Sequence, residues 1–428
     1  MLDIKWIREN EHDAIEALRK RYIETPENVI KEIIELDESI RNNIQVLQKL
    51  QHAKNQKTKM MGFLHNTSGA SQRSLHTNIE DIDKKIAEIK ADSRDMDRLN
   101  EILNSLPNIL DQDVPNGKNE NENQVIKEHG DVTNKSTVPH FKIGESLNMI
   151  NFKKAVAMSG TRFVMLTRDV ARLARALQNF MLDCNTKRGF IEVDPPYLVL
   201  DQAMYGSGQL PKFSEDTFKV DNKYRLIPTS EVSLVNIVSD TIVPLKSLPL
   251  RFVSYTPCFR SEAGSAGKDT RGMIRLHQFR KVELVSITTP ENSEEEHEYM
   301  LETSESILQK LKLPYKVVLL CSGDTGFCAR KTYDIEVWLP GQGKYREIAS
   351  ISNCGDFQSR RLNGKYKAKQ NDNKLVHALN GSALPIERTI AAILENYYNE
   401  EDGSVTVPDV LIPYMDNKTK ILPHDEYI

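Results

Sequence analysis

Apolar residues return every three or four positions along two stretches of the first hundred residues. They are Ile33, Leu36, Ile40, Ile44 and Leu47 in one, and Leu75, Ile79, Ile82, Ile86, Ile89, Ser93 and Met96 in the other. A repeat averaging about 3.5 residues keeps a narrow seam on one side of a helix, and such a seam is buried only against another helix. Thr25-Pro26-Glu27 marks the start of the first run: a residue that can cap, a proline where its missing N–H costs nothing, and an acid in the first turn. Between the runs, Gly62 and the polar stretch His65-Asn66-Thr67-Ser68-Gly69-Ala70-Ser71 let the chain reverse. The pattern predicts an antiparallel two-helix coiled-coil arm over about residues 27–105. Each helix would be ~50 Å long at ~1.5 Å per residue.

Charge on this arm is uneven. From Lys49 to Ile79 it carries Lys49, Lys54, Lys57, Lys59 and Arg73 and no Asp or Glu, in a 428-residue chain whose net charge is −4. Two readings stand side by side: a solvated end of a coiled coil, or a rigid basic surface that positions a nucleic acid through its phosphates. The acidic balance argues against a protein that coats nucleic acid generally, and no DNA partner is expected. Charged residues make up 28% and hydrophobic residues 39% of the chain, and no apolar run approaches the length of a membrane span. The amino terminus carries Asp3, Glu9 and Glu11 where an export signal would be basic and then apolar, so a cytoplasmic location and no membrane partner are expected. The five cysteines, Cys184, Cys258, Cys321, Cys328 and Cys354, are odd in number and lack C-x-x-C spacing; they read as buried free thiols, with no disulfide framework and no zinc.

From 111 to 139 the chain turns polar, with Asn116, Asn119, Asn121 and Asn123 among glycines and acids, and reads as a linker. The domains expected are therefore 1–110, a linker at 111–139, and 140–428. Beyond 140, helical patterns (Phe163 to Cys184, Ser293 to Leu311) mix with short β-rich runs (Phe190 to Val193, Tyr315 to Leu320, Ile335 to Leu339), which predicts an α+β domain. Neither a P-loop nor a G-x-G-x-x-G turn occurs, so a nucleotide bound here needs another phosphate device. Arg260-Ser261-Glu262 follows the β-like run Leu250 to Cys258, and strand character resumes over Arg271 to Leu284. A hairpin with Arg260 and Arg275 on one surface beside Phe279 offers guanidinium forks for phosphate and an aromatic face for a base. Gly381 through Arg388 leads into the apolar helix Thr389 to Tyr397, a helix start where phosphate can sit.

With these residues in view, the chain resembles the bacterial type of seryl-tRNA synthetase along essentially its whole length. Met1 through Asn10 looks like that family's amino terminus, and Asn55 through Gly62 is similar to its N-x-x-S-K-x-I-G arm sequence, with Thr58 and Met61 as departures. Gly189-Phe190-Ile191-Glu192-Val193-Asp194-Pro195-Pro196 resembles class II motif 1, Phe259 through Glu283 motif 2, and Gly381 through Arg388 motif 3, in the family's order.

The resemblance implies a class II antiparallel-sheet catalytic domain at 140–428, an N-terminal tRNA-binding domain at 1–110 and, through motif 1, a homodimer. It implies activation of L-serine with ATP and transfer of the seryl group to the 3′ end of serine tRNA, with selenocysteine tRNA left open as a second acceptor. Arg260, Glu283 and Arg388 would be catalytic; Thr229, Ser230, Glu231, Glu283 and Ser382 would receive serine. Arg260, Ser261, Glu262, Phe279, Glu347, Ile348, Ala349, Ser350 and Arg388 would hold ATP, with Glu262 at the adenine edge, Phe279 on its face and Arg388 at the terminal phosphate. Glu347 and Ser350 would hold Mg²⁺ against the triphosphate, and Lys49, Lys54, Lys57, Lys59 and Arg73 would meet tRNA.

Four further positions depart from the family pattern: Ala383 replaces the second glycine of motif 3, Glu387 precedes its arginine, Arg280 stands where an acid is common, and Lys142 replaces an aspartate in the His140-Phe141-x-Ile143-Gly144 element. Two rival readings remain. One is another class II synthetase such as the threonyl or prolyl enzyme, against which the arm and Thr229-Ser230-Glu231 speak. The other is a non-catalytic tRNA- or protein-binding paralogue, against which the presence of Arg260, Glu262, Glu283, Glu347 and Arg388 speaks.

Overall fold

The computed structural model describes residues 1–63, 69–133, 136–263, 271–370 and 372–425. The chain divides into two units, Leu2–Leu106 and Pro107–Ile428, the latter together with Met1.

In the first unit Asp3 caps α1 (Ile4–Glu9) by accepting the N–H groups of Lys5 and Trp6, and α2 (Glu11–Lys20) follows. Pro26 opens α3 (Pro26–Phe63), whose 38 residues extend about 57 Å at ~1.5 Å per residue. The second half of the arm is two helices, α4 (Gly69–Ala91) and α5 (Arg94–Ser105). Three cross-helix pairs fix the antiparallel sense: Lys54 Nζ to Asp83 (2.6 Å), Ser39 Oγ to Asp95 (2.6 Å) and Arg98 Nε to Glu32 (2.7 Å), with numbers falling along α3 as they rise along its partners. Along the seam Ile33 and Ile86 are buried, and Leu36, Ile40, Leu47, Leu75, Ile79, Ile82 and Ile89 are half-buried.

The heptad reading fails at three of its positions. Ile44 is 46% exposed, Met96 is 44% exposed and Ser93 is exposed. The helix breaks at Asp92-Ser93, where Asp92 accepts from the backbone N and side chain of Arg94, so α5 starts in a new phase and buries Leu99, Ile102 and Leu103. Of the turn expected between Gly62 and Ser71, residues 64–68 lie outside those described, while Gly62 still belongs to α3 and Gly69 opens α4.

The second unit is built on one eight-stranded sheet: β1 (Gln124–His129), β2 (Ile191–Glu192), β3 (Leu250–Phe259), β4 (Gln278–Thr288), β5 (Tyr315–Leu319), β6 (Lys331–Leu339), β7 (Lys344–Asn353) and β8 (His377–Pro385). Its order is β1-β5-β6-β7-β8-β4-β3-β2, antiparallel except for the short β2, which runs parallel to β3. Alternation sends Val282 and Leu284 of β4, Leu379 of β8 and Ile351 of β7 into one apolar core with α6 (Arg168–Lys187), α7 (Ser293–Lys310) and α8 (Ile386–Asn396).

Three expectations are corrected. The stretch 111–139 is not a free linker: Asp111 exchanges hydrogen bonds with Arg330, and Gln124–His129 is the edge strand paired with β5. All six residues of that strand are exposed, so its sequence carries no apolar alternation to betray it. Strand character on the motif 2 side begins at Gln278 and not at Arg271, and the last helix begins at Ile386 and not at Thr389, which places Arg388 inside its first turn.

If the seam is as described, Ile33→Ala should cost about 2–5 kcal/mol, whereas Ile44→Ala should stay within about 0.5 kcal/mol. Chemical denaturation of both variants reads this directly, and equal losses would mean that the two residues share one buried stripe.

Candidate functional site

The face of the sheet turned away from the main core is polar across its centre, and strand register is what makes it so. Glu283 of β4 lies opposite Ser254 of β3 on one side and Ser382 of β8 on the other. Asn380 of β8 lies opposite Ser352 of β7, and Ser350 of β7 opposite Asp334 of β6. Lys281 and Phe279 continue the same face of β4, two and four residues back. Two β-bulges sit within this stripe. One makes Ala383 the extra residue on β8 between Ser382 and Leu384, and the other makes Ile348 the extra residue on β7 between Glu347 and Ala349. Bulges re-aim side chains beside functional sites, and here they let Ser382 and Glu347 face the stripe while Leu384 turns into the core. Ala383 is buried in that core and the positive φ (137°) falls on Leu384, so the motif 3 departure at 383 demands no glycine.

Above the stripe lies a cavity of about 580 Å³, walled by Thr229, Glu231, Arg260, Glu262, Arg275, Ser350 and Asn380 among others. Glu231 opens a short helix, Glu231–Val235, and is 9% exposed. Its carboxylate accepts from Gln358 Nε2 (2.6 Å) and Asn380 Nδ2 (3.0 Å). Burial, reinforced by the nearby Glu283 carboxylate, pushes the Glu231 pKa up to about 7. A buried carboxylate with spare acceptor capacity and like charge beside it is a strong receptor for an ammonium group. Glu283 itself is buried and pairs with Lys281 Nζ.

A second, adjoining cavity shares Arg260, Glu262 and Arg275 with the first and is lined further by Phe279, Lys281, Glu347, Ser382 and Arg388. The Arg260 guanidinium lies 5.0 Å from the Phe279 ring centroid, a cation–π contact that fixes both, and its Nε donates to the Pro228 carbonyl at 3.3 Å. Glu262 takes a left-handed backbone (φ 54°) and pairs with Arg275 Nη1. Arg388 Nε donates to the Ile274 carbonyl (3.0 Å) and Nη1 to the Glu347 carbonyl (2.6 Å), with the Glu347 carboxylate 3.6 Å away. The guanidinium is thus aimed by backbone oxygens and still half-exposed.

For a divalent cation the donors are hard oxygens. Glu347 is 54% exposed, Ser350 faces the cavity, and the Asp334 carboxyl, pushed upward by burial and by Glu347, bonds to Ser350. Few protein oxygens beside phosphates suit Mg²⁺.

Not every expected site residue reaches the cavities. Ser230 is fully buried, the Ser261 hydroxyl turns to the Glu215 carbonyl, Ala349 lies in the apolar core, and Glu283 is buried against Lys281; none of the four lines either cavity. Thr229, Glu231, Ser382, Arg260, Glu262, Phe279, Glu347, Ile348, Ser350 and Arg388 are on those walls. Three residues that the sequence did not single out, Gln358, Asn380 and Lys281, each contact a carboxylate of the site. Asn380 adjoins Gly381 and Lys281 stands two residues from Glu283, but only the folded sheet shows which carboxylate each one meets.

On the arm, Lys49, Lys59 and Arg73 are exposed and Lys57 is half-buried. Lys54 is tied to Asp83, an acid that lies outside the acid-free interval in sequence but beside it across the hairpin.

Two family models match: the seryl-tRNA synthetase N-terminal domain over residues 1–110 and the tRNA synthetase class II core domain (G, H, P, S and T) over 215–397. The serine–tRNA ligases of Rickettsia akari (strain Hartford) and Rickettsia prowazekii (strain Madrid E) are 55% and 54% identical to this chain, each over 100% of both chains. The seryl-tRNA synthetase of Pyrococcus horikoshii, solved complexed with ATP, is 37% identical with a TM-score of 0.91, covering 99% of this chain and 100% of that one. The cytoplasmic serine–tRNA ligase of Naegleria fowleri, solved with AMP, is 28% identical with a TM-score of 0.86, covering 99% of each chain. A prolyl-tRNA synthetase of Giardia lamblia shares the fold at 17% identity, TM-score 0.56, over 64% of this chain and 55% of that one. Full-length identity above one half, together with both family models, places the chain in the seryl-tRNA synthetase family.

Proposed function

We propose that this chain activates L-serine with ATP to seryl-adenylate and transfers the seryl group to the 3′ end of serine tRNA. The observation that carries this reading is the buried Glu231 carboxylate, held by Gln358 and Asn380, facing the same cavity as Arg260 while Arg388 lines the cavity adjoining it. The serine ammonium would pair with Glu231, and Thr229 would help to seat it. Glu283 would receive the serine hydroxyl through the wall that Lys281 and Ser382 form. Alanine would leave that polar wall unpaired, a loss that discriminates more strongly than a missing methylene.

Adenylate formation then needs no side-chain nucleophile: the serine carboxylate attacks the α-phosphate and pyrophosphate leaves in line. The protein supplies position and positive charge. Arg260 would neutralise the carboxylate and α-phosphate, Phe279 would stack on adenine with Glu262 at its edge, and Arg388 would hold the terminal phosphate. Mg²⁺ fits Glu347 and Ser350 and, when bound, neutralises charge on the triphosphate.

Residues 1–110 would serve the tRNA and the sheet-based unit the small substrates. A homodimer is part of the reading: the motif 1 strand exposes Ile191, and Leu198, Leu200, Ile242 and Leu245 add exposed apolar surface that a second copy would cover. No described helix is long and apolar enough to cross a membrane, in keeping with a cytoplasmic place of work.

Pyrophosphate exchange should depend on serine and Mg²⁺, and exchange driven better by threonine or proline would overturn the reading. Arg388→Ala removes a charge-assisted contact worth about 1.5–3 kcal/mol, which predicts roughly 10- to 100-fold weaker exchange; near-normal exchange would take Arg388 out of the site.

The raised pKa of Glu231 sets a pH dependence with a definite sign. The ammonium pairs with the ionised form, which is depleted as pH falls through about 7. The KM for serine should therefore climb by roughly fivefold from pH 7 to pH 6 while the KM for ATP moves little. A serine KM that is flat from pH 8 to pH 6 would separate Glu231 from the amino group.

Deleting residues Ile44 to Ile89 should leave exchange nearly intact and abolish transfer to tRNA. The salt dependence of tRNA binding should flatten with it, because Lys49, Lys54, Lys57, Lys59 and Arg73 are lost together. Unchanged charging by the shortened chain would make the basic tip an ordinary solvated helix end.

A further inference from the structure

Two of the positions that depart from the family pattern, far apart in sequence, meet in space. Both oxygens of the Glu387 carboxylate are engaged by Arg280: Oε2 accepts the backbone N–H and Oε1 the Nε–H, each at 2.8 Å. The backbone explains why that amide is available. Arg280 lies opposite Pro257 of β3, and β8 ends at Pro385 opposite Lys281, so the Arg280 amide runs past the last residue of its strand partner. Glu387, in the first turn of α8, supplies the acceptor that the strand no longer offers.

The two residues flank the groups assigned to the nucleotide. Arg280 follows Phe279 on β4, Glu387 precedes Arg388 on α8, and Phe279, Glu387 and Arg388 line one cavity. Their exposures are unequal: the Glu387 side chain is 5% exposed and that of Arg280 is 32%. Loss of Glu387 would leave a guanidinium that water can still solvate. Loss of Arg280 would strand a buried carboxylate, which must then find another cation. The other cations on that cavity's wall include Lys281, already paired with Glu283, and Arg388, next to Glu387 in sequence.

We propose that the Arg280–Glu387 pair is a positioning device for the nucleotide. It engages both oxygens of the Glu387 carboxylate and so keeps Glu387 from capturing Arg388. This rests on the reading of that cavity as the ATP site. Arg280 and Glu387 act through Arg388 and need not touch substrate.

The test is serine-dependent ATP–pyrophosphate exchange by the full-length protein, with the KM for ATP, the KM for serine and kcat measured separately. Arg280→Gln should raise the KM for ATP on the order of tenfold with the serine KM within about twofold of the parent. Arg280→Lys, which keeps the charge, and Glu387→Ala should each stay within about threefold of the parent, and Arg280→Gln combined with Glu387→Ala should return to that range. An unchanged KM for ATP in Arg280→Gln, a double variant no better than it, or a serine KM that rises in step would each overturn the proposal. If Arg280→Gln does not fold, a folded double variant with near-parent KM values supports it and an unfolded one overturns it. Absence of serine-dependent exchange in the parent protein is a different failure, that of the functional reading, and shows before any variant is made.

Discussion

Strand register at the centre of the sheet is the constraint on which the rest of the catalytic unit depends. Because side chains alternate with a period of two, a one-residue slip of β8 against β4 would carry Ser382 and Asn380 into the apolar core and bring Leu379 and Ala383 to the cavity. The helices α6, α7 and α8 cover one face and so force that face to be apolar. That leaves the opposite face free to carry Glu283, Ser382, Asn380, Ser350 and Asp334 as one polar row. The two bulges matter for the same reason: each adds one residue at the place where a polar side chain has to change faces.

Four of the carboxylates on and around that row each have a polar or cationic partner. Glu231 is held by two amides, Glu283 by Lys281, Glu262 by Arg275 and Glu387 by Arg280. Arg260 and Arg388 instead spend hydrogen bonds on carbonyl oxygens and, for Arg260, a ring face, which aims each guanidinium; Arg388 also has the Glu347 carboxylate at 3.6 Å. Anionic substrates therefore meet positive charge that is already placed, and little reorganisation is left for the reaction itself. The elevated pKa of Glu231 follows from the same crowding: its carboxylate is desolvated beside that of Glu283.

The arm shows how far periodicity alone can be followed. Leu75 to Ile89 kept the seam because one uninterrupted helix, α4, carries them; Ser93 and Met96 lost it because two residues, Asp92 and Ser93, interrupt the helix and reset its phase. Ile44 continues the spacing yet stays exposed. Lys54 belongs by sequence to an acid-free interval but is paired across the hairpin with Asp83, so that interval overstated the free positive charge.

Local chemistry was legible in the chain itself. Thr25-Pro26-Glu27 announced a helix, heptad spacing announced its partner, and the order of three motif-like segments announced a class II catalytic unit. Such signals are short-range, each written within a few turns or one strand. What only the tertiary structure decided are the meetings across long separations. Glu231 met Asn380, Arg280 met Glu387, and the polar stretch near Gln124 became an edge strand against Tyr315–Leu319. Ser230, Ser261 and Ala349 share motif segments with residues of the cavity walls and yet turn away from them. The reason is that a strand or turn residue acquires its face, its burial and its partner only from the register of the elements beside it, and register is set by the packing of the whole sheet.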